Sequence, residues 1–474
     1  MAGAPTVLIM AAGEGTRMRS SRPKMLHPIC GRPMIAWPVR AALEAGAGRI
    51  CVIVSPGRDL SDALPDDVEV VVQPEADGTG GAARAAVDAI RTSEEVVVMP
   101  GDHPLISAEA LLRLIAARRE AGAAATLVTT ELDDPGSYGR VVRDASGDVE
   151  RIVEAKEGSS DATPEELAIK EVSSVIFAFD AAALADALGR ITNDNAQGEY
   201  YVGDVLPAIR SAGLRVTAHR DPDPNMSRGV NSRADLADAE SEARALINRR
   251  HMEDGVTLVD PTSTWIDADV ELAADVRLEP GCALHGRTVV AEGATIGPLT
   301  TAIDAAVGAG ATVVRSHLVG CEVGERCTIG PFSHLRPGAW IGAGAKVGAF
   351  VEIKNSVVGP GAKVPHLSYV GDADVGEDAN VGAGTITANY DGFTKHRTKI
   401  GQGARIAVHT SLVAPVSVGE GAYTGAGAVI REDVPPGALG VSKGEQRNIE
   451  GYAKRRSEQV EERDAMSDAE ADER

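Results

Sequence analysis

Aromatic residues and basic charge are scarce in this chain of 474 residues. Phe, Trp and Tyr make up 3% of it, and 47 Lys and Arg are outnumbered by 69 Asp and Glu, which gives a formal net charge of −22. A nucleic-acid-binding surface needs a basic stripe and stacking side chains, so this class of protein is disfavoured. Any anionic small molecule must be bound by local clusters of Arg and Lys.

Cysteine and long hydrophobic runs are scarce as well. The chain has five cysteines, an odd number, with no CxxC pair, which is typical of buried residues in a reducing compartment and not of disulfides or metal sites. The apolar run at residues 7–10 is short, and no later run approaches membrane length. We therefore expect a soluble, cytoplasmic protein without a membrane partner.

Between residues 266 and 430 an aliphatic residue returns at every sixth position. The runs are Ile266, Leu272, Leu278, Leu284, Val290 and Ile296; Val307, Val313 and Val319; Val323, Ile329, Leu335, Ile341, Val347 and Ile353; and Ile400, Ile406, Leu412 and Val418. Period six fits neither a helix nor a simple strand, but it fits short strands joined by tight turns. The sequence predicts a hexapeptide solenoid here.

The preceding segment, residues 6 to about 228, alternates apolar strands with alanine-rich helical stretches. Candidate strands are residues 7–10, 50–54, 68–72, 96–99 and 126–129. This alternation predicts a largely parallel, Rossmann-like α/β sheet that binds ligands at the carboxyl ends of its strands. Because 474 residues exceed one core, we predict an α/β domain at 1–230, a linker helix at 231–252, the solenoid at 253–446 and a charged tail at 447–474.

A glycine-rich loop, AAGEGTRM at residues 11–18, follows the first strand. Glycines allow backbone N–H groups to point at a phosphate, and Arg17, Arg22 and Lys24 follow closely in an acidic protein. Such a loop is often only a turn, and a lone lysine is often only a solvated surface group. The cluster of three cations favours a polyphosphate site.

Two later strands also end in polar residues. Gln73, in QPEADGTGG, has an amide that offers a donor and an acceptor to the edge of a base. Asp102, in MPGDHP, is a hard oxygen donor suited to Mg²⁺ beside a phosphate, although an aspartate in a turn is often only a turn former. The magnesium interpretation therefore depends on the phosphate loop.

The solenoid offers a second anion site. Three hexads should form one coil, so Arg336 and Lys354, which are three hexads apart, should stack in one outward column. Two adjacent cations favour a bound phosphate, whereas the alternative is that Asp372, another three hexads on, neutralises the column. The repeat then breaks between Ile386 and Ile400, which predicts a functional loop bulging from the coil.

Several motifs carry a family resemblance: LIMAAGEGTRMRSSRPKMLHPICGRPMI, QPEADGTGGA, MPGDHPLI, SYGRVVR, NDNAQGEYYVGD and RGVN, followed by the hexapeptide segment. Over residues 5 to 450 the chain resembles the bifunctional N-acetylglucosamine-1-phosphate uridylyltransferase / glucosamine-1-phosphate N-acetyltransferase family. The resemblance implies an N-terminal nucleotidyltransferase domain and a C-terminal left-handed parallel β-helix that carries the acetyltransferase. It also implies acetyl-CoA and UTP as co-substrates, Mg²⁺, a homotrimer, and a product used in cell-wall precursors.

The resemblance implies site residues in both parts. Those for UTP and UDP-N-acetylglucosamine are Ala11, Ala12, Gly13, Arg17, Lys24, Gln73, Gly78, Thr79, Asp102, Gly139, Glu154, Ser173 and Asn231, with Asp102 and Asn231 as Mg²⁺ ligands. Those for glucosamine 1-phosphate are Arg336, Lys354, Tyr369 and Asn380, with Lys395 in the same pocket. His366 would deprotonate the sugar amine, and Glu352 would orient it. Those for acetyl-CoA are Ala383, Asn389, Tyr390, Val408, Ala426 and Lys443.

The chain departs from the family pattern at three of these positions. Ser173 stands for an asparagine expected on the sugar, Val408 for a serine beside the thioester, and Lys443 for an arginine on coenzyme A. His409 or Thr410 could take over from the missing serine. Two alternatives remain open: a single-activity sugar nucleotidyltransferase with a scaffolding β-helix, and a histidine-ligated zinc enzyme, against which no paired histidine spacing is found.

Overall fold

The computed structural model describes residues 3–136, 138–153, 155, 162–195, 197–223, 228–442, 444, 446 and 448–460. The chain divides into two compact units, Met1–Val319 and Gly320–Arg474. The first unit contains the α/β sheet and several coils of the solenoid, and the second contains further coils. The predicted domain boundaries stay predictions.

The α/β part of the first unit is built on one sheet, with nine strands in its described residues. They are β1 Thr6–Met10, β2 Arg49–Val54, β3 Glu69–Val72, β4 Glu95–Pro100, β5 Ala125–Glu131, β6 Arg140–Arg143, β7 Val149–Val153, β8 Glu171–Asp180 and β9 Val216–Arg220. The order is β9-β5-β8-β4-β1-β2-β3, with β6 pairing β8 and β7. All five predicted strands are confirmed.

Strand β1 lies at the centre of this sheet, parallel to both β2 and β4. Its residues Val7, Leu8 and Ile9 are buried because the sheet is covered on both faces. The loops after β1, β2 and β4 therefore leave the same edge. Strand β8 is antiparallel to β4 and β5, so the sheet is mixed and not wholly parallel.

Eight α-helices accompany the sheet in the described part of the first unit. They are α1 Ala36–Glu44, α2 Thr79–Ala85, α3 Val87–Arg91, α4 Ala108–Ala121, α5 Pro164–Leu167, α6 Ala181–Leu188, α7 Val205–Ser211 and α8 Arg233–Glu253. Helix α8 is the helix predicted at 231–252, and it begins where Ser232 caps it in a reciprocal capping box with Asp235. Among the described residues, no helix is long and apolar enough to cross a membrane.

The solenoid coils of each unit form three parallel ladders. In the first unit the strands are Thr257–Leu258, Arg277–Leu278, Thr295–Ile296 and Thr312–Val313; Trp265–Ile266, Ala283–His285, Thr301–Ile303 and His317–Val319; and Glu271–Leu272, Val289–Val290 and Ala306–Val307. In the second unit they are Glu322–Val323, Trp340–Ile341, Val357–Val358, Ala373–Val375, Thr398–Ile400 and Val416–Val418; Thr328–Ile329, Lys346–Ala349, Lys363–His366, Asn380–Val381, Arg405–Ile406, Tyr423–Thr424 and Leu439–Gly440; and His334–Leu335, Glu352–Lys354, Tyr369–Gly371, Ile386–Ala388, Ser411–Val413 and Val429–Ile430.

The hexapeptide prediction, and with it the left-handed parallel β-helix, is confirmed, but one predicted inward position was wrong. Leu318 is fully buried where Val319 was expected, because the coil before it is shorter than three full hexads. Thr387 is buried one residue after Ile386, which is 47% exposed. The polar loop after Ile386 is confirmed, since Val375 pairs with Ile400 one coil later.

Candidate active sites

A cavity of about 630 Å³ opens in the first unit where β1 and β4 end. It brings together nine residues predicted to bind nucleotide and sugar: Ala12, Gly13, Lys24, Gln73, Gly78, Thr79, Asp102, Gly139 and Ser173. Ala11 is buried, with its N–H donating to the Ile53 carbonyl at 2.8 Å, and Arg17 is exposed on a short 3-10 turn. Glu154 lies outside the described residues.

The ammonium group of Lys24 lies at the edge of this cavity and bridges two other chain segments. Its Nζ donates to Asp102 Oδ2 at 2.6 Å and to Asn231 Oδ1 at 2.9 Å. Lys24 is 7% exposed, which contradicts the alternative of a solvated surface lysine. A carboxylate and an amide oxygen that converge on one cation are hard donors that suit Mg²⁺, so this pair fits the expected metal.

Both oxygen donors are held in place by neighbouring groups. His103 Nδ1 lies 2.9 Å from Asp102 Oδ1, and the N–H of Val230 donates to the Asp102 carbonyl at 2.9 Å. Burial alone would raise the pKa of Asp102, but the hydrogen bond with His103 and the charges of His103 and Lys24 hold it well below its usual range. The carboxylate is therefore ionised and oriented.

The carboxylate of Asp235 positions the second oxygen donor. It accepts the N–H groups of Asn231 and Ser232, both at 2.8 Å. These bonds belong to the first turn of α8, so the helix cap fixes the backbone that presents the Asn231 amide.

The glycine segment after β3 forms another wall of the cavity. The Gln73 amide nitrogen donates to Asp77 Oδ1 at 2.7 Å and to the Gly78 carbonyl at 3.0 Å, which uses both of its N–H groups. Only the carbonyl oxygen of Gln73 is left for a base, so it can accept but not donate. Gly78 has φ +96°, and a Cβ there would lie 2.5 Å from the Tyr200 carbonyl oxygen.

In the second unit, each predicted phosphate-binding cation has a carboxylate partner. Arg336 donates to Glu352 Oε1 at 2.8 Å, and Lys354 Nζ lies 3.3 Å from Asp372 Oδ2. The predicted column was partly wrong: Leu335 pairs with Ile353, but Lys354 pairs with Gly371 because that coil is one residue shorter. Asp372 reaches Lys354 from the neighbouring position.

Asp372 also organises the loop that follows Ile386. Its carboxylate accepts the Asn355 amide at 2.6 Å and the amide of buried Asn389. The neighbouring ammonium group of Lys354 lowers the pKa of Lys395, because two like charges lie close together. The loop thereby adds a cation beside Lys354, and the pair of ammonium groups suits an anion.

His366 is exposed at the end of a strand of the second unit, where it lies opposite Ala349 in the register. Glu352 was expected to orient His366, but within the described residues its carboxylate accepts from Arg336 and no bond to His366 is found. The ring of Tyr369 lies over Gly371, where a Cβ would be 2.3 Å from the tyrosine oxygen. Asn389 Nδ2 lies 3.5 Å from the same oxygen.

The remaining acetyl-CoA positions lie on turns of the solenoid. Ala383, Tyr390, Val408 and Ala426 are exposed or half-buried, with Tyr390 59% and Val408 45% exposed, and Lys443 lies outside the described residues. Asn380, predicted to bind glucosamine 1-phosphate, is half-buried on the strand Asn380–Val381. Thr410 cannot replace the missing serine, because its hydroxyl is buried and donates to the Ala407 carbonyl at 2.8 Å. His409 is exposed beside Val408 and is the group left for that role.

Comparison with known proteins gives matches for both parts of the chain. Residues 7–163 match the MobA-like NTP transferase domain, and residues 320–355 match the bacterial transferase hexapeptide with six repeats. The bifunctional protein GlmU of Kineococcus radiotolerans is 50% identical over 94% of this chain and 91% of its own length. Those of Pseudarthrobacter chlorophenolicus and Mycobacterium tuberculosis are 48% and 46% identical, over 95% and 96% of this chain and 92% and 93% of their own lengths.

The chain belongs to the GlmU family of bifunctional proteins. The resemblance that the motifs carry is thereby confirmed. The chain is a bifunctional transferase of UDP-N-acetylglucosamine synthesis: it acetylates glucosamine 1-phosphate with acetyl-CoA and transfers uridylyl from UTP with Mg²⁺.

Several cavity residues of this GlmU family member escaped sequence reasoning. Tyr138, Val175, Glu199 and Tyr201 line the cavity beside the predicted residues. Two signals were available, because Tyr138 lies in SYGRVVR and Glu199 and Tyr201 lie in NDNAQGEYYVGD, both of which carry the resemblance. Val175 ends the stretch EVSSV, in which Ser173 departs from the family pattern, but an apolar residue in a run of strand residues gives no signal of its own for a cavity wall.

Proposed function

We propose that the cavity of the first unit is the uridylyltransferase site and that Lys24, Asp102 and Asn231 are its catalytic centre. The observation that carries this proposal is the convergence of the two oxygens on the Lys24 ammonium, from segments 78 and 207 residues away in sequence. Asp102 and Asn231 would hold Mg²⁺, which offsets negative charge on phosphate oxygens when bound.

The chemistry of this site needs positioning more than proton transfer. An oxygen of the sugar 1-phosphate attacks the α-phosphorus of UTP, the bond to the β-phosphate breaks, and pyrophosphate leaves. The nucleophile is already an anion, so no general base is required. Lys24 and the exposed Arg17 would bind phosphate oxygens, backbone N–H groups at Gly13 would add to them, and the Gln73 carbonyl would accept from the uracil.

We propose that the acetyltransferase site of the second unit lies around Lys354 and His366. Lys354, Lys395 and Arg336 would bind the phosphate of glucosamine 1-phosphate. The His366 imidazole would take a proton from the sugar amine as its nitrogen attacks the thioester carbon. The attack makes the thioester oxygen an oxyanion, which the Ala383 N–H would stabilise. The carbon–sulfur bond then breaks, and the coenzyme A sulfur takes the proton back from His366 and leaves as a thiol.

A test of these assignments is to break one site at a time. We expect His366→Ala to abolish thiol release from acetyl-CoA with glucosamine 1-phosphate and to leave UTP-dependent pyrophosphate release unchanged. We expect Asp102→Ala to do the opposite. If His366→Ala keeps the wild-type rate of thiol release, His366 is not the base; if Asp102→Ala keeps pyrophosphate release, Asp102 is not the metal ligand.

We also propose that the chain is cytoplasmic and assembles as a trimer through its solenoid. Three apolar side chains stand exposed at one corner of successive coils of the second unit: Phe332 at 52%, Phe350 at 60% and Leu367 at 63%. The two phenylalanine rings stack with centroids 5.2 Å apart. Such a stripe is costly in water and suits a surface covered by another copy. Sedimentation equilibrium should give three chain masses, and a single-chain mass would contradict the proposal.

A further inference from the structure

Val175 has a backbone conformation that is rare for its residue type. Its φ is +58°, in the left-handed region, where a β-branched residue is an outlier. Such strain is retained only where the surrounding structure determines it. Strand β8, which contains Val175, is otherwise buried on either side, with Ser174 at 1% and Ile176 at 0% exposure.

A bulge in β8 turns Val175 out of the core. Ser173 pairs with Thr129 and Phe177 with Leu127, so β8 carries extra residues between two register positions. Val175 is 37% exposed and lines the cavity together with Tyr138 and Gly139. The strained residue therefore places an isopropyl group on the cavity wall.

The hydroxyl of Ser173 is involved in the same bulge. The N–H of Val175 donates to Ser173 Oγ at 3.2 Å, and the N–H of Ser173 donates to the Gly139 carbonyl at 2.9 Å. Ser173 is 3% exposed. The Ser173 side chain thus supports the turn that places Val175 on the cavity wall. The Val175 side chain makes that part of the wall apolar.

We propose that Val175 is a specificity-determining residue that limits the size of the N-acyl group on the sugar 1-phosphate. This inference rests on the proposed function. Of the groups that enter the cavity, the phosphates, the sugar hydroxyls and the uracil are polar, whereas the acyl methyl group is apolar and suits a valine side chain. One methylene group in an apolar pocket changes kcat/KM by roughly 10- to 200-fold, so a fixed wall can select acetyl over longer acyl groups.

The test compares N-acetyl-, N-propionyl- and N-butyrylglucosamine 1-phosphate in UTP-dependent pyrophosphate release. We expect Val175→Gly to raise the kcat/KM ratio of butyryl to acetyl substrate by about tenfold or more, and Val175→Ile to lower kcat/KM for the acetyl substrate. Release of left-handed strain should offset the greater freedom of an unfolded glycine, so the melting temperature should change little. Val175→Ala shortens the same side chain without the added backbone freedom of glycine.

A matched control is Leu299→Gly. Leu299 is also apolar, exposed and left-handed, with φ +51°, but it does not line the cavity. The Leu299→Gly variant should have the same kcat/KM ratio of butyryl to acetyl substrate as the wild type. If Val175→Gly and Val175→Ala keep the wild-type ratio while wild-type turnover is normal, the inference is overturned and the proposed function stands. If the wild type does not convert N-acetylglucosamine 1-phosphate, both fall together.

Discussion

Each of the two units holds a lysine ammonium against an aspartate, but the two aspartates have different neighbours. In the first unit Asp102 and the Asn231 oxygen both point at Lys24, so their acceptor groups converge on the cation. In the second unit the Asp372 carboxylate accepts from two asparagine amides as well as from Lys354. The two oxygens that bond Lys24 would both face a cation that replaced the ammonium, whereas the Asp372 carboxylate is also bonded by two amides.

This difference assigns different roles to two similar pairs. If Asp102 and Asn231 hold Mg²⁺ as proposed, the Lys24 ammonium would compete with the metal for the same two oxygens. Lys354 is held by a carboxylate that also binds two asparagine amides, which suits a fixed cation in the anion site proposed there. The role of a lysine–aspartate pair is therefore indicated by the other groups that the aspartate carboxylate binds.

The largest expected effect comes from removing the first of these lysines. Lys24→Gln should lower uridylyl transfer by roughly 100- to 1000-fold, because a cation that stabilises charge in the transition state is lost. The same variant should bind Mg²⁺ more tightly than the wild type when no nucleotide is present, since the competing charge is gone. Isothermal titration calorimetry with Mg²⁺ alone measures this second effect.

Lys170→Gln is the matched control for this comparison. Lys170 forms an exposed ion pair with Asp133 at 2.9 Å, and neither residue lines the cavity. Both the transfer rate and the Mg²⁺ affinity should stay at wild-type values in that variant. Equal or weaker Mg²⁺ binding by Lys24→Gln would show that Lys24 does not compete for the metal oxygens, and the contrast between the two pairs would be lost.

A smaller effect is expected from breaking the second network. Asp372→Ala should destabilise the chain by about 2–3 kcal/mol, because the buried Asn389 amide loses its acceptor and Lys354 its partner. Burial alone would raise the pKa of Asp372, but hydrogen bonds from Asn355 and Asn389 lower it. This stabilisation is therefore present above the unfolded pKa and is lost as pH falls through the folded one.

Thermal denaturation at neutral and acid pH measures this loss. The difference in melting temperature between wild type and Asp372→Ala should shrink on acidification. In the Asp372→Ala variant, acetyl transfer should fall while uridylyl transfer is retained. Asp372→Asn is the control for backbone strain, because the residue has φ +49° and asparagine tolerates that region. An unchanged melting temperature in Asp372→Ala would mean that the network does not fix Lys354.

The two sites also differ in how far the sequence predicts them. The phosphate loop, Asp102 and the period-six repeat follow from local patterns, because each depends on a strand and the turn after it. Asn231 could not be found this way, since its contact with Lys24 joins residues that lie 207 positions apart in sequence. The sequence offers the pairing of Lys354 with Asp372 as an alternative, but it places Asp372 in the same column as Lys354. This placement is wrong because the coils are not all three full hexads long.

The smallest expected effect concerns the ammonium pair of Lys354 and Lys395. The neighbouring positive charge of Lys354 lowers the pKa of Lys395 in the free protein. A bound phosphate would offset that repulsion and raise the pKa again, so binding should be accompanied by proton uptake at alkaline pH, below the ordinary lysine value of about 10.4. Nothing comparable is expected in the first unit, where one ammonium bonds two oxygens.

Calorimetric titration with glucose 1-phosphate, which lacks the amine, in two buffers of different ionisation enthalpy measures the uptake. Lys395→Met should abolish it and weaken binding by about tenfold, whereas Lys399→Met, an exposed lysine on the next strand, should change neither. Buffer-independent heats in the wild type would mean that no proton is taken up. Lys395 would then contribute no titrating charge to the phosphate site, and the second unit would differ from the first only in the partners of its aspartate.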